Sequence, residues 1–185
     1  MYFEKVIRNS VTDAVTGRRT VRSYTQTPLT AEQTDTLLEG AISAPSGRNS
    51  QPCIVRVLQN SQRLDELNTD FKNTVGWDTP AYTRWDINPV YQTAPCMIFI
   101  FAMNDCGVDA GIMVENIAIT AKGIGLDSCI IASVGALFQG KYADKWKDIL
   151  KVDRNARFMI SVAVGNGNEI PEQKPRNTNN FMIIE

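Results

Sequence analysis

The chain has 185 residues, 43% hydrophobic and 21% charged, with a formal net charge of -1. That is the make-up of one folded domain spanning 1–185, able to bury a core without metal or disulfides, and it excludes a disordered chain and a general binder of nucleic acid or anionic membrane. Histidine is absent, which removes Ser-His and Cys-His nucleophiles, His-ligated zinc and the usual neutral-pH proton shuttle, so an organic cofactor with its own reactive centre is the economical chemistry.

Residues from about Tyr2 to Val15 predict a helix, with Phe3, Val6, Ile7, Val11 and Val15 at three- to four-residue steps and Gly17 placed to end it. The opening, Met1 to Arg8, holds no uninterrupted apolar run, so no secretory signal is expected and the cytoplasm is the expected location. Thr30-Ala31-Glu32-Gln33 is a capping-box pattern ahead of an apolar stripe of Leu37, Leu38, Ala41 and Ile42, and Pro45 closes that helix. A strand over Ile54–Leu58 follows, then a helix capped by Ser61 that buries Leu64, Leu67 and Phe71. From Asn73 to Thr93 the aromatics Trp77, Tyr82, Trp85 and Tyr91 have no clear period, prolines stand at 80 and 89, and the stretch reads as irregular lid or substrate-side structure.

Met97 to Met103 is the longest apolar run; it is too short to cross a bilayer and reads as a buried strand over 96–102. Asn104 or Asp105 is placed to cap a helix over about 108–122, apolar on more than one face, which Gly123 and Gly125 end. Such a helix should be deeply buried or sandwiched between subunits. A strand at 128–131, a helix near 142–150 and a strand at 157–164 complete a mixed α and β pattern before a polar tail.

Three stretches suit one small anion and a heterocycle. Arg18-Arg19-Thr20-Val21-Arg22 concentrates guanidinium groups and a hydroxyl in the way phosphate requires, and Lys174-Pro175-Arg176 adds two cations near the other end. Between them, Pro45-Ser46-Gly47-Arg48-Asn49-Ser50-Gln51-Pro52 is rich in amides and hydroxyls that can pair with ring donors and acceptors. Singly, each reads as a solvated basic patch or a turn-rich loop. In this order and spacing they resemble the FMN-dependent nitroreductase family, and the likeness extends through Ala94-Pro95, Asp109 to Leu126 with its Glu115-Asn116, Gly125-Leu126-Asp127-Ser128 and Gly165.

The resemblance implies an α+β fold, a mostly antiparallel central sheet flanked by helices, in an intertwined homodimer holding two FMN at its interface. It implies a ping-pong reaction in which NAD(P)H reduces the flavin at N5 and an electron-poor small molecule, a nitroaromatic or quinone, takes the electrons. Matched residue by residue, Arg18 and Thr20, with Arg19 in the same segment, would meet the phosphate and ribityl chain. Arg22 would meet the pyrimidine edge, where a fixed cation stabilises charge on reduced flavin. Lys174 and Arg176 would close on the phosphate. Pro45, Ser46, Gly47, Asn49 and Gln51 would reach the neighbouring subunit's flavin, Ala132 and Ser133 would offer backbone to N5, and Asn88 is a looser match beside the ring. No side-chain general acid and no metal are implied. Alternatives are a flavin store or sensor with little turnover and a reductive dehalogenase.

The chain departs from many relatives at Cys53, where they carry an aromatic after Gln-Pro, and at Ala132-Ser133, where they carry Glu-Gly. Cys53, Cys96, Cys106 and Cys129 show neither a C-x-x-C pair nor disulfide-scaffold spacing, and Cys53 reads as a packed thiol. Gly123-Ile124-Gly125 and Gly165-Asn166-Gly167 lack the third glycine of a dinucleotide fingerprint and read as turns.

Overall fold

The structure is a computed structural model that describes residues 5–79 and 89–184. In chain order its elements are α1 (Ser10–Gly17), α2 (Ala31–Ile42), β1 (Cys53–Leu58), α3 (Ser61–Val75), β2 (Cys96–Ala102), α4 (Gly107–Gly123), β3 (Asp127–Ile131), α5 (Ala143–Ile149) and β4 (Arg157–Gly165). Short 3-10 segments occupy Gly47–Asn49 and Ser133–Phe138.

The four strands form one sheet in the order β1-β2-β4-β3, antiparallel throughout. Because side chains alternate along a strand, β2 feeds two cores. Met97, Phe99 and Phe101 pack on one face with Leu64, Leu67, Phe71, Phe138 and Trp146, against α3, α5 and the second 3-10 segment. Cys96, Ile98 and Ile100 pack on the other with Leu37, Ala41, Ile117, Ala121 and Val162, under α2 and α4. All seven residues of β2 are buried. Where α2 crosses α4, a Cβ on Gly40 would lie 2.3 Å from Thr120 Oγ1, so only glycine permits this approach.

Three local expectations change. The first helix begins at Ser10, because Asn9 and Thr12 form a reciprocal capping box that starts it there, and Lys5 to Arg8 lie outside it. Its valines do not make a core face: Val11 and Val15 are exposed and α1 buries no residue. The cap of α3 is Asn60, whose side chain accepts from Arg63 N at 2.9 Å, one residue before the expected Ser61. The N-cap of α4 is Cys106; Asp105 contributes only an oxygen 3.3 Å from Gly107 N. The capping box at Thr30 and Gln33 forms as expected. The two-faced apolar character of α4 divides between a buried side, Ala110, Val114, Ile117 and Ala121, and an exposed one carrying Val108 and Ile112.

Candidate functional site

The Arg segment leaves α1 and runs beside β3. Thr20 bridges Ser128 in parallel, Val21 N donates to Ser128 O at 3.1 Å, and the buried Val21 and Tyr24 anchor the strand-like stretch, with Tyr24 Oη donating to Val21 O. Desolvation raises the Tyr24 phenol above its ordinary pKa, so it stays a neutral donor. Thr20 and Arg22 stay half-exposed between these anchors.

The tail returns to the same place. Tyr24 bridges Gly167, Asn168 N donates to Ser23 O, and Glu169 accepts from Arg22 N. This pairing needs glycine, since a Cβ on Gly167 would stand 2.5 Å from Asp127 Oδ2. The tail then carries Arg176 to a cavity of about 1390 Å³ that Arg18 and Arg19 also line, together with Lys5 to Arg8 and Thr16. Arg18 and Arg176, far apart in sequence, therefore border one space. Lys174 is exposed and does not line it.

The three arginines of the segment differ in their partners. Arg19 donates to Thr16 O and Arg18 O, both at 2.7 Å, and so closes the end of α1. Arg18 Nε is buried without a hydrogen-bond partner, 3.5 Å from Glu115 Oε1 on α4 in an ion pair that lacks hydrogen-bond geometry. A buried cationic donor left unsatisfied beside a cavity is the feature an anion would complete. Arg22 does not line the cavity and is held through its backbone N–H by Glu169.

The Pro45 to Pro52 loop is braced by its own side chains. Ser46 Oγ accepts from Gln51 N at 3.0 Å, Gln51 Nε2 donates to Asn49 Oδ1 at 3.2 Å, and Gly47 N donates to Asp109 Oδ1 at 3.0 Å. Arg48, Asn49 and Gln51 all take positive φ, near 50°, a conformation costing about 1 kcal/mol or more at each non-glycine residue. Bracing keeps the exposed amides of Asn49 and Gln51 in a set conformation. Pro45, Ser46 and Gln51 line a cleft of about 210 Å³ with Cys53, Asp109 and Met113.

Loop and Arg segment both lean on α4, but at different places. Asp109 holds the loop and Glu115 faces Arg18; six residues of helix separate them by about 9 Å along the axis and about 120° around it. The cavity and the cleft share no lining residue. Ala132 is exposed and Ser133 half-buried at the start of the 3-10 segment after β3. Asn88, Tyr82 and Trp85 lie outside the described residues. Trp77 is exposed, with its Nε1 on Asn73 Oδ1, whereas Tyr91 packs on the core and donates to Asp65 Oδ1 at 2.5 Å. Among the described residues no cluster of His, Cys, Asp and Glu could hold a metal, and no helix is long and apolar enough to cross a membrane.

Three contacts leave no signal in the sequence. Glu169 on Arg22 and Asp109 on Gly47 join residues with no motif between them. A third, Cys53 Sγ to Cys106 Sγ at 3.8 Å, joins two thiols far apart in the chain.

The Nitroreductase family model matches residues 15–166. An NADPH-flavin oxidoreductase of Vibrio harveyi is 24% identical over 177 residues, covering 91% of this chain and 70% of that protein. A nitroreductase with bound FMN from Desulfitobacterium hafniense DCB-2 superposes with a TM-score of 0.88 at 24% identity, over 97% of this chain and 100% of the other. A nitroreductase with bound FMN from Bacteroides fragilis NCTC 9343 gives 0.87 at 23% identity, over 96% of this chain and 100% of the other. With the family model spanning the Arg segment, the loop and all four strands, this chain belongs to the nitroreductase family.

Proposed function

We propose that the chain is an FMN-dependent oxidoreductase passing electrons from NAD(P)H to an electron-poor small molecule, such as a nitroaromatic or quinone, by a ping-pong scheme. The observation that carries this is the unsatisfied buried Nε of Arg18, on a cavity that Arg19 and Arg176 also line. Family membership and the flavin-reducing name of the Vibrio harveyi relative support it. FMN, when bound, supplies the two-electron redox chemistry, and the chain supplies binding, orientation and electrostatics. Arg18, Arg19 and Arg176, which line the cavity, hold the phosphate end, with Thr20 in the same segment. Arg22 offers a fixed positive charge to the ring edge where negative charge accumulates on reduction, and its backbone is tied by Glu169. Ala132 and Ser133 present main chain to the reacting edge.

The site is completed in a homodimer. The loop of Pro45, Ser46, Gly47, Asn49 and Gln51 meets α4 at Asp109, while its own Arg segment meets that helix at Glu115, about 9 Å along and about 120° around, so in this reading the loop serves the partner's flavin. The exposed Val108 and Ile112 on the same helix supply apolar surface suited to a two-fold contact.

Purified protein should carry a flavin spectrum that NADH or NADPH bleaches anaerobically, and the released cofactor should chromatograph as FMN. Finding FAD, or a chain that stays colourless with added FMN, overturns the cofactor assignment. Bound FMN that neither nicotinamide bleaches overturns the enzyme reading. Mixing an inactive Asn49→Ala variant with an inactive Arg18→Ala/Arg22→Ala variant should restore partial activity, because one site in each heterodimer is then intact; no recovery after proven subunit exchange overturns the shared site.

A further inference from the structure

We propose that Cys53 and Cys106 form an oxidisable dithiol, closing to a disulfide that latches the base of the Pro45 to Gln51 loop onto α4. The two sulfurs lie 3.8 Å apart, in contact, and a disulfide needs about 2.05 Å, so a small approach suffices. Their supports can supply it. Cys106 is the N-cap of α4 without a side-chain capping bond to lose, and it follows the exposed stretch Met103 to Asp105. Cys53 opens β1 directly after Gln51-Pro52.

Accessibility assigns the roles. Cys53 lines the cleft beside the loop and is half-buried, whereas Cys106 is buried. A hydroperoxide entering the cleft meets Cys53 first: its sulfur attacks the O–O bond and takes one oxygen as a sulfenic acid, while the other oxygen leaves as water or alcohol. The Cys106 sulfur then attacks the Cys53 sulfur, the S–S bond forms and water leaves. Two electrons pass from the two thiols to the peroxide. Burial first, then the hydrogen bond with Cys106, push the Cys53 thiol up to about 12. The reduced pair is thus held protonated, and the latch answers sustained oxidant rather than a brief pulse.

Closure has a local consequence. The loop already touches the first turn of α4 through Gly47 N and Asp109 Oδ1, and the disulfide adds a covalent tie at the same turn. If the loop serves the partner's flavin, as the proposed function holds, oxidation changes flavin affinity.

The test exposes the purified chain, with and without FMN, to excess hydrogen peroxide or diamide at about pH 8.5, followed by alkylation and peptide mapping. The expected product is a reductant-reversible link between the Cys53 and Cys106 peptides, with a rise in Tm of about 5–10 °C that Cys53→Ser and Cys106→Ser both abolish. Cys96→Ser should retain it. FMN affinity of the linked form should differ from the reduced form by about fivefold or more, and not in Cys106→Ser. Absence of the link, or accumulation of sulfinic acid at Cys53 in the parent, overturns the dithiol. A link with unchanged FMN affinity overturns the latch alone. A chain that binds no FMN in either state overturns the proposed function, while the link and Tm still judge the pair.

Discussion

Replacing Arg18 with alanine removes a cation whose Nε is buried without a hydrogen bond and whose side chain is only 20% exposed. A charge-assisted hydrogen bond contributes about 1.5–3 kcal/mol, so FMN affinity should fall roughly 10- to 100-fold. Glu115 stands 3.5 Å from that Nε and is 43% exposed; losing its partner costs the fold about 1 kcal/mol or less, because water screens it. Its carboxylate would then face the phosphate unopposed, so Arg18→Ala/Glu115→Gln should recover part of the lost affinity. Arg176→Ala should give a loss similar to Arg18→Ala. If both arginines grip one anion, their combined effect departs from additivity by about 0.5 kcal/mol or more. Titration of apoprotein with FMN, followed by flavin fluorescence, reads all four variants. Losses below about twofold in both single variants, or strictly additive ones, would refute a shared anion site.

Gly40→Ala should destabilise the fold by about 1–3 kcal/mol in urea denaturation, since the new Cβ would stand 2.3 Å from Thr120 Oγ1; Thr120→Ala in the same chain should return part of it, and an unaffected midpoint would mean that α2 can shift freely. The Lys145 ammonium, 2.7 Å from Glu66 Oε1, together with Arg63, holds the Glu66 carboxyl below its ordinary value. A depressed folded-state pKa contributes stability above the unfolded value, and that contribution is lost as pH falls through the folded one. Tm should therefore drop less steeply on acidification below about pH 5 in Lys145→Met than in the parent, by a small margin because the Glu66 side chain is half-buried and water screens the pair; equal slopes would exclude the pair as a contributor.

What could be read in advance depended on how local the signal was. β2 stands out as an uncharged apolar run and β4 as an apolar run after Arg157, and α2 announces itself through Thr30 and Gln33, two residues three apart that cap one another. The first helix starts later than its period suggests: Val6, Ile7, Val11 and Val15 share a helical period, while the start is decided by Asn9 and Thr12. Periodicity reports a face, not whether anything covers it. The 3-10 segment at 133–138 had no recognisable pattern, because its path depends on Gly135 lying under the Phe158 ring, with a Cβ there 2.9 Å from Cδ1. At the site, charge density flagged Arg18 and Arg176, and chain topology brings both to one cavity. Lys174, two residues from Arg176, is exposed and does not line it, which residue type and spacing alone do not reveal. Contacts such as Glu169 on Arg22 follow from tertiary geometry and leave no trace in spacing.

The position of β2 bears on how the chain reaches its fold. Both partners of this strand are distant in sequence: β1 lies beyond α3 on one side, and β4 lies beyond α4, β3 and α5 on the other. Pairings of that range close slowly, and during synthesis β2 emerges well before β4. Through that interval Cys96–Ala102 carries no charge and no proline, with one backbone edge unpaired, which is the profile of a self-associating segment. A weakened β4, for instance by losing the Ser161 Oγ bond to Ile131 O, would lengthen the interval. Its first symptom would be insoluble protein at higher growth temperature, with the soluble fraction retaining full specific activity.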